Sequence, residues 1–338
     1  MTKTLTADRL FRGGLFAKRW VAWPFMLLAA LLGVTFIMAP LDAEQQSWLA
    51  VAGFLLFMVA NRIPGRGVTV FLVFLSCLVS LRYIYWRLVE TLEFGNFMQT
   101  FLGTGLILAE IYAIITMLLA YFQAIWPLDR QPVPMPDDPE EWPVIDVFIP
   151  SYNEPLEIVK PAIYGALAID WPPEKMNVYV LDDGRRDDFR RFCEEIGCGY
   201  MIRPDNKGAK AGNINHALTK TNGEFIAIFD CDHVATRAFL QLTVGWLLRD
   251  RDLCMVQTPH HFYSPDPFER NLASGQRVPN EGLLFYGMVQ QGNDLWNATF
   301  FCGSCAVIRR EALLEVGGVP TQTVTEDCHC SLKMQRRG

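Results

Sequence analysis

Two acids spaced for a hard metal ion close an apolar run in this 338-residue chain: Phe225-Ile226-Ala227-Ile228-Phe229-Asp230-Cys231-Asp232-His233. Buried strand positions do not tolerate unpaired carboxylates, whereas the exposed end of a strand carries them readily. Residues two apart in an extended chain point to one side, so Asp230 and Asp232 are expected to converge while Cys231 faces away. Two hard oxygen ligands suit Mg²⁺ or Mn²⁺ bridging a diphosphate. In isolation an Asp-x-Asp run equally describes a solvated turn. Its surroundings favour the metal.

Those surroundings are further polar clusters at the ends of apolar runs. Val180-Leu181-Asp182-Asp183-Gly184 places two acids before a glycine that permits a tight turn, and one acid there can accept hydrogen bonds from a nucleoside base or ribose. Pro150-Ser151-Tyr152-Asn153-Glu154 supplies a stacking ring and polar groups. Lys207-Gly-Ala-Lys210-Ala-Gly-Asn213-Ile-Asn215 sets small residues and two cations before an expected helix over 211–220. Backbone N–H groups and ammonium charge at such a place favour phosphate, although an exposed basic loop has the same composition. Thr325-Glu326-Asp327 lies at the edge of another expected helix, and on spacing alone these acids read as caps.

The elements that must position these residues follow from periodicity. Val144–Ile149, Asn177–Leu181 and Phe225–Phe229 read as short strands, with helix-like stretches over 157–169 and 187–196 between them. Alternation of this kind predicts an α/β domain with a mainly parallel sheet, spanning 144–338. Ligands of such sheets bind beyond the carboxyl ends of the strands, where the clusters sit. Residues 127–143, rich in Pro and acid, read as an extended linker.

Residues 1–126 are of another kind and read as a transmembrane region with four helices. Val21–Ala39, Trp48–Ala60, Gly67–Leu81 and Phe101–Trp126 are apolar, and the second is adequate only if its helix starts a few residues earlier. Lys3, Arg9, Arg12, Lys18, Arg19, Arg62 and Arg66 against Asp42 and Glu44 place the N-terminus and second loop in the cytoplasm. The chain then re-enters the cytoplasm near residue 127. Four basic residues before a span too long for an h-region, with further spans after it, argue against a cleavable signal peptide. Tyr83, Tyr85 and Trp86 suit either an interface or stacking on sugars. Glu110, inside a span, is a functional candidate or the partner of an Arg.

Charge divides along the same line. Residues 1–126 hold nine Lys/Arg and six Asp/Glu, a net +3, and the remainder is −9, which recovers the −6 of the whole chain. An acidic second half argues against a nucleic-acid-binding surface there. Nine Cys with a domain facing a reducing cytosol read as thiols rather than disulfides. Cys302-x-x-Cys305 with Cys328-His329-Cys330 has a rival reading as zinc ligands, against which the tight Cys-His-Cys spacing speaks.

In this order the motifs resemble processive family-2 glycosyltransferases, cellulose synthases above all, through Asp182-Asp183-Gly184, Asp230-Cys231-Asp232, Phe300-Phe301-Cys302-Gly303-Ser304 and Thr325-Glu326-Asp327. The resemblance covers nearly the whole chain and implies a nucleotide-sugar-binding fold of the GT-A type. It implies UDP-glucose as donor, with Tyr152, Glu154, Asp182, Asp183 and Lys210 on the UDP moiety and Asp230 and Asp232 on Mg²⁺ (or Mn²⁺) and the diphosphate. Asp327 would be the general base, and Phe301, Cys302 and Gly303 would lie at the acceptor end of a growing β-1,4-glucan. It further implies a bacterial inner-membrane protein, a lipid bilayer around its helices, export of the glucan through them, and a periplasmic partner subunit. Chitin or hyaluronan synthases, using UDP-N-acetylglucosamine, are the rival family, and a non-catalytic nucleotide-sugar-binding assembly subunit is the rival class. The Gln-x-x-Arg-Trp motif, later channel helices and the cyclic-di-GMP-binding PilZ domain of bacterial cellulose synthases are not in this sequence. The expectation is therefore the N-terminal part of a longer synthase, inactive in polymerisation by itself.

Overall fold

The computed structural model describes residues 19–273, 278 and 281–338, so Lys3, Arg9, Arg12 and Lys18 lie outside the described residues. The chain divides into two units, one ending at Trp126 and one starting at Pro127.

Among its described residues the first unit holds four long helices: α1 (Arg19–Met38), α2 (Ala43–Ala60), α3 (Arg66–Glu90) and α4 (Phe97–Ala124). The apolar run read from Trp48 starts earlier for a local reason. Asp42 accepts from the Gln45 N–H at 2.8 Å while the Gln45 side chain accepts from the Asp42 N–H, a capping box that opens α2 at Ala43. Asn96 and Gln99 open α4 in the same way. Helices α2, α3 and α4 are each long and apolar enough to cross a membrane, and in α1 the apolar stretch is Met26–Met38.

Polar groups between these helices are paired. Arg82, buried, donates to the carbonyls of Phe36 (2.6 Å) and Ala39 (2.9 Å) and to Gln46 Oε1. It thereby satisfies carbonyls that the end of α1 leaves without helical partners. Of the two readings of Glu110, the structure gives the pair: Arg87 Nε lies 2.8 Å from it, and Tyr83 donates to its other oxygen.

The second unit is built on a six-stranded sheet ordered β3-β2-β1-β4-β6-β5. The strands are β1 (Ile145–Ser151), β2 (Met176–Asp182), β3 (Gly199–Met201), β4 (Phe225–Ile228), β5 (Met255–Gln257) and β6 (Ala306–Arg309). The β1–β2, β1–β4 and β2–β3 pairs are parallel, and β6 runs antiparallel to both β4 and β5. All seven residues of β1 and all four of β4 are buried, as expected of strands covered on both faces. Helices α5 (Leu156–Leu167), α6 (Asp187–Ile196) and α8 (Phe239–Arg249) cover one face around Val147, Ile163, Phe189 and Leu240. Helices α7 (Ala209–Leu218) and α9 (Glu326–Gln335) cover the other around Phe148, Ile214, Ile228 and Cys330. Each buried aliphatic or aromatic side chain contributes roughly 1.5–3 kcal/mol relative to exposure.

Residues 127–143 do not stand off as an extended linker. Trp142 packs on Trp171 with ring centroids 4.6 Å apart, and Arg130 pairs with Asp294 at 2.6 Å. Gly245 on α8 lets this segment pass, because a Cβ there would fall 2.1 Å from the Val133 carbonyl oxygen. Two Trp rings and an apolar seam on α8 outweigh the solvation of a Pro-rich strap.

Candidate active site

The polar clusters meet around one cavity of about 550 Å³ at the carboxyl ends of β1, β2 and β4. It is lined by Tyr152 and Glu154 after β1, Asp183 after β2, Asn206, Lys210 and Asn213 around the start of α7, and Asp230 to Asp232 after β4. Strand order reverses between β1 and β4, the place where open α/β sheets leave a crevice.

Asp230 and Asp232 reach the cavity by a turn rather than by the extended geometry expected from their spacing. Strand β4 ends at Ile228, and the His233 N–H donates back to the Asp230 carbonyl at 3.0 Å. The cause is Ser304, whose Oγ takes the Asp230 N–H at 2.8 Å and draws the chain out of the ladder. Cys231 still turns inward, where its thiol is buried in the core. Asp230 Oδ1 accepts from Lys210 Nζ, which also donates to the Gly303 carbonyl at 2.6 Å. Asp232 is exposed. Two carboxylates lining one cavity, Asp232 solvent-facing and Asp230 bonded to the Lys210 ammonium, form a donor set that fits Mg²⁺ or Mn²⁺.

The two acids after β2 differ in role. Asp182 is fully buried and does not line the cavity, contrary to the expectation that it faces a nucleotide. Its oxygens accept from the N–H groups of Gly184 (2.9 Å) and Arg186 (2.7 Å), the Arg186 guanidinium (2.8 Å) and the Tyr200 hydroxyl (2.9 Å). It holds the turn and is saturated. Asp183 lines the cavity and is gripped through both oxygens, each 2.6 Å from the Arg203 guanidinium. Arg203 also donates to the carbonyls of Lys207 (2.6 Å) and Ala209 (2.8 Å), so one buried cation ties Asp183 to the start of α7 and hence to Lys210.

Phe301 is buried in the core, where its N–H donates to Ser331 Oγ of α9 at 2.7 Å. Asp327, in the first turn of α9, accepts from the Cys328 N–H at 2.7 Å. Gly303 stands between two of the expected site residues. With φ of +80°, it is where a Cβ would lie 3.4 Å from both Asp327 Oδ2 and Lys210 Nζ. Cys302, Gly303 and Asp327 therefore form a rim that meets the cavity at Lys210, whereas the Phe301 side chain, expected at the acceptor end, is packed in the core beneath them. Cys302 is fixed by its N–H to Gln257 (2.9 Å) and its sulfur to Gln290, on a turn of π-helix over Phe285–Gln290.

Local fields follow this packing. Burial works against ionisation of Glu154, yet the N–H groups of Tyr152 and Glu154 itself, with Ser151 and the Cys231 thiol, hold its pKa below the ordinary carboxylate value. Burial, helped by the charges of Glu154, Asp232 and Asp230, pushes the Cys231 thiol up to about 12. Burial likewise pushes Cys302 up to about 11. Among the described residues, Cys302, Cys305, Cys328, His329 and Cys330 do not gather as metal ligands: Cys330 is in the core and His329 bonds Thr323. Arg203 and Asn206 were not legible as site residues, and Ser304 stood out only as the last residue of the Phe300-Phe301-Cys302-Gly303-Ser304 run. A basic residue soon after an apolar β3 is the one signal that Arg203 offered.

The family description "Glycosyl transferase family 2" matches residues 146–317, just over half of the 338. A "Cellulose synthase catalytic subunit [UDP-forming]" of Pseudomonas fluorescens is 57% identical over 312 residues, covering 92% of this chain and 42% of the relative. "Putative cellulose synthase 2" of Komagataeibacter xylinus is 55% identical over 331 residues, covering 98% of this chain and 22% of the relative. The chain thus spans less than half the length of these relatives. A solved mannosyltransferase of Pyrobaculum calidifontis, in complex with GDP-Man and Mn²⁺, is similar at 25% identity and a TM-score of 0.46, over 64% of this chain and 59% of that one. With its motifs gathered at the strand ends and the family match running across them, the chain belongs to glycosyltransferase family 2.

Proposed function

We propose that this chain is the donor-binding part of a cellulose synthase, transferring glucose from UDP-glucose to the 4-hydroxyl of a β-1,4-glucan. The observation that carries the reading is the meeting of Lys210, Asp230 and Asp327 around Gly303. The relatives named cellulose synthase, alike over more than nine-tenths of this chain, support the choice of sugar. Tyr152, Glu154 and Asp183 line the nucleotide side of the cavity. Asp230 and Asp232 would hold Mg²⁺ (or Mn²⁺), which when bound neutralises diphosphate charge. Lys210 stabilises negative charge gathering on the departing UDP. Asp327 takes the proton of the acceptor hydroxyl as that oxygen attacks opposite the UDP, inverting the anomeric carbon. The helices α1 to α4 fit a multi-pass inner-membrane setting with this domain in the cytoplasm, the glucan leaving through the bilayer beside a periplasmic subunit.

The roles separate in a UDP titration with and without Mg²⁺. Asp230→Asn loses the metal-dependent part of UDP affinity, whereas Asp327→Asn keeps UDP affinity and loses transfer. UDP affinity lost only in Asp327→Asn overturns the assignment.

A further inference from the structure

We propose that His233, His260 and Cys305 form a second metal site, one of softer donors that takes Zn²⁺, beside the oxygen pair Asp230 and Asp232. One ligand atom from each lies within 4.8 Å of the others. The sheet explains why they meet. Strands β4, β6 and β5 are neighbours, and β6 runs against the other two. Ala306 therefore stands level with both Ile228 at the end of β4 and Gln257 at the end of β5. Cys305 precedes it, His233 follows the turn after β4, and His260 follows β5.

Ser304 organises all three. Its Oγ is 2.6 Å from His233 Nδ1, its carbonyl accepts from His260 Nε2 at 3.0 Å, and its Oγ is 3.5 Å from Cys305 Sγ. A metal-ligating imidazole is characteristically held through its other nitrogen in this way, which fixes tautomer and ring orientation. Cys305 has a φ of +54°, a conformation uncommon outside glycine, and it is pinned there by its N–H to the Ile228 carbonyl at 2.7 Å. The rings of His233 and His260 lie 4.7 Å apart, with Tyr286 4.8 Å beyond His260, so the cluster is walled on one side by aromatic surface.

Two imidazoles and a thiol are the donor set of Zn²⁺, not of Mg²⁺. Tetrahedral zinc with bonds of about 2.0–2.3 Å needs ligand atoms roughly 3.5 Å apart, a closure within reach of side-chain rotation. On binding, the Cys305 thiol releases its proton to solvent, and the Ser304 hydroxyl donates to the resulting thiolate. The fourth position is open to water. Asp230 Oδ2 lies 3.9 Å from His233 Nδ1, the nitrogen that Ser304 holds, so bound zinc would set a second dication beside the donor-site carboxylate and inhibit transfer. That inhibition rests on the donor-site reading above, whereas the binding does not.

The test uses Co²⁺ as a spectroscopic probe, added to the whole protein in detergent and then displaced with Zn²⁺. One equivalent should give tetrahedral bands and a thiolate-to-cobalt charge-transfer band, bleached by stoichiometric Zn²⁺. Because the chain has nine Cys, the assignment turns on Cys305→Ser, which should abolish the charge-transfer band. His260→Asn, a change on a loop, should weaken Co²⁺ binding by at least about tenfold, and Asp232→Asn should leave the band in place. The proposal is overturned by no charge-transfer band in the unmodified protein, by a band that survives Cys305→Ser, by unaltered affinity in His260→Asn, or by loss of the band in Asp232→Asn.

Discussion

Replacing Arg203 with Met should loosen the nucleotide side of the cavity more than any exposed change. The Arg203 and Asp183 side chains are 5% and 6% exposed, and two contacts of 2.6 Å join them. Removing one member of a buried, hydrogen-bonded pair costs about 3–5 kcal/mol, because the other charge stays in place without its partner. The carbonyls of Lys207 and Ala209 lose their donor as well. Against a total stability of about 5–15 kcal/mol the loss is large. In a domain of this size each kcal/mol moves Tm by roughly 2–4 °C, so Arg203→Met should unfold about 6–20 °C below the unmodified protein. Much of the penalty is the stranded carboxylate, so Asp183→Asn with Arg203→Met should cost less than the sum of the two single changes. Thermal unfolding followed by tryptophan fluorescence measures all three variants. A drop below about 2 °C in Arg203→Met, or strict additivity, would refute the claim that this pair ties the end of β2 to α7.

Three further expectations rest on other contacts. Gly303→Ala should cost only about 1–2 kcal/mol for its positive φ, yet lower glucosyl transfer by roughly tenfold to a hundredfold, since the new Cβ stands 3.4 Å from both Lys210 and Asp327; transfer at the normal rate would mean that these groups do not act together. Glu154 has a folded pKa below its unfolded one, so its contribution to stability is present above the ordinary carboxylate range and is lost as pH falls through the depressed value. Glu154→Gln should accordingly flatten the acid limb of a stability–pH curve, and an unchanged limb counts against it. With Cys231 pushed up to about 12 and Cys198 lowered by the Cys193 thiol, iodoacetamide at neutral pH should label Cys198 well before Cys231, as read by peptide mass spectrometry. The reverse order would contradict the packing around Glu154.

The strands that carry the site were legible because their short apolar runs end in polar clusters. Helix α6 is legible over the same residues, 187–196, since acids open it and Gly197 closes it. Strands β3, β5 and β6 have three or four residues each, too few to show a period, and neither the antiparallel β6 nor its place beside β4 follows from local sequence. Asp182 and Asp183 are adjacent acids in the sequence and opposite in role, because only the fold decides which carboxylate meets Arg186 and which meets the cavity. Asp230 and Asp232 both line the cavity, but the turn that carries them there depends on Ser304, a residue seventy-four positions from Asp230. His233, His260 and Cys305 are likewise brought together only by strand order.

The central claim is glucosyl transfer from UDP-glucose with Asp327 as base. Its most direct measurement is incorporation of labelled sugar by membranes carrying the uninterrupted protein, supplied with UDP-glucose or UDP-N-acetylglucosamine. The account predicts a product labelled from UDP-glucose alone, released by a β-1,4-glucanase, and absent in both Asp327→Asn and Asp230→Asn. Label entering from UDP-N-acetylglucosamine instead, or an Asp327→Asn variant that polymerises at the normal rate, would contradict it.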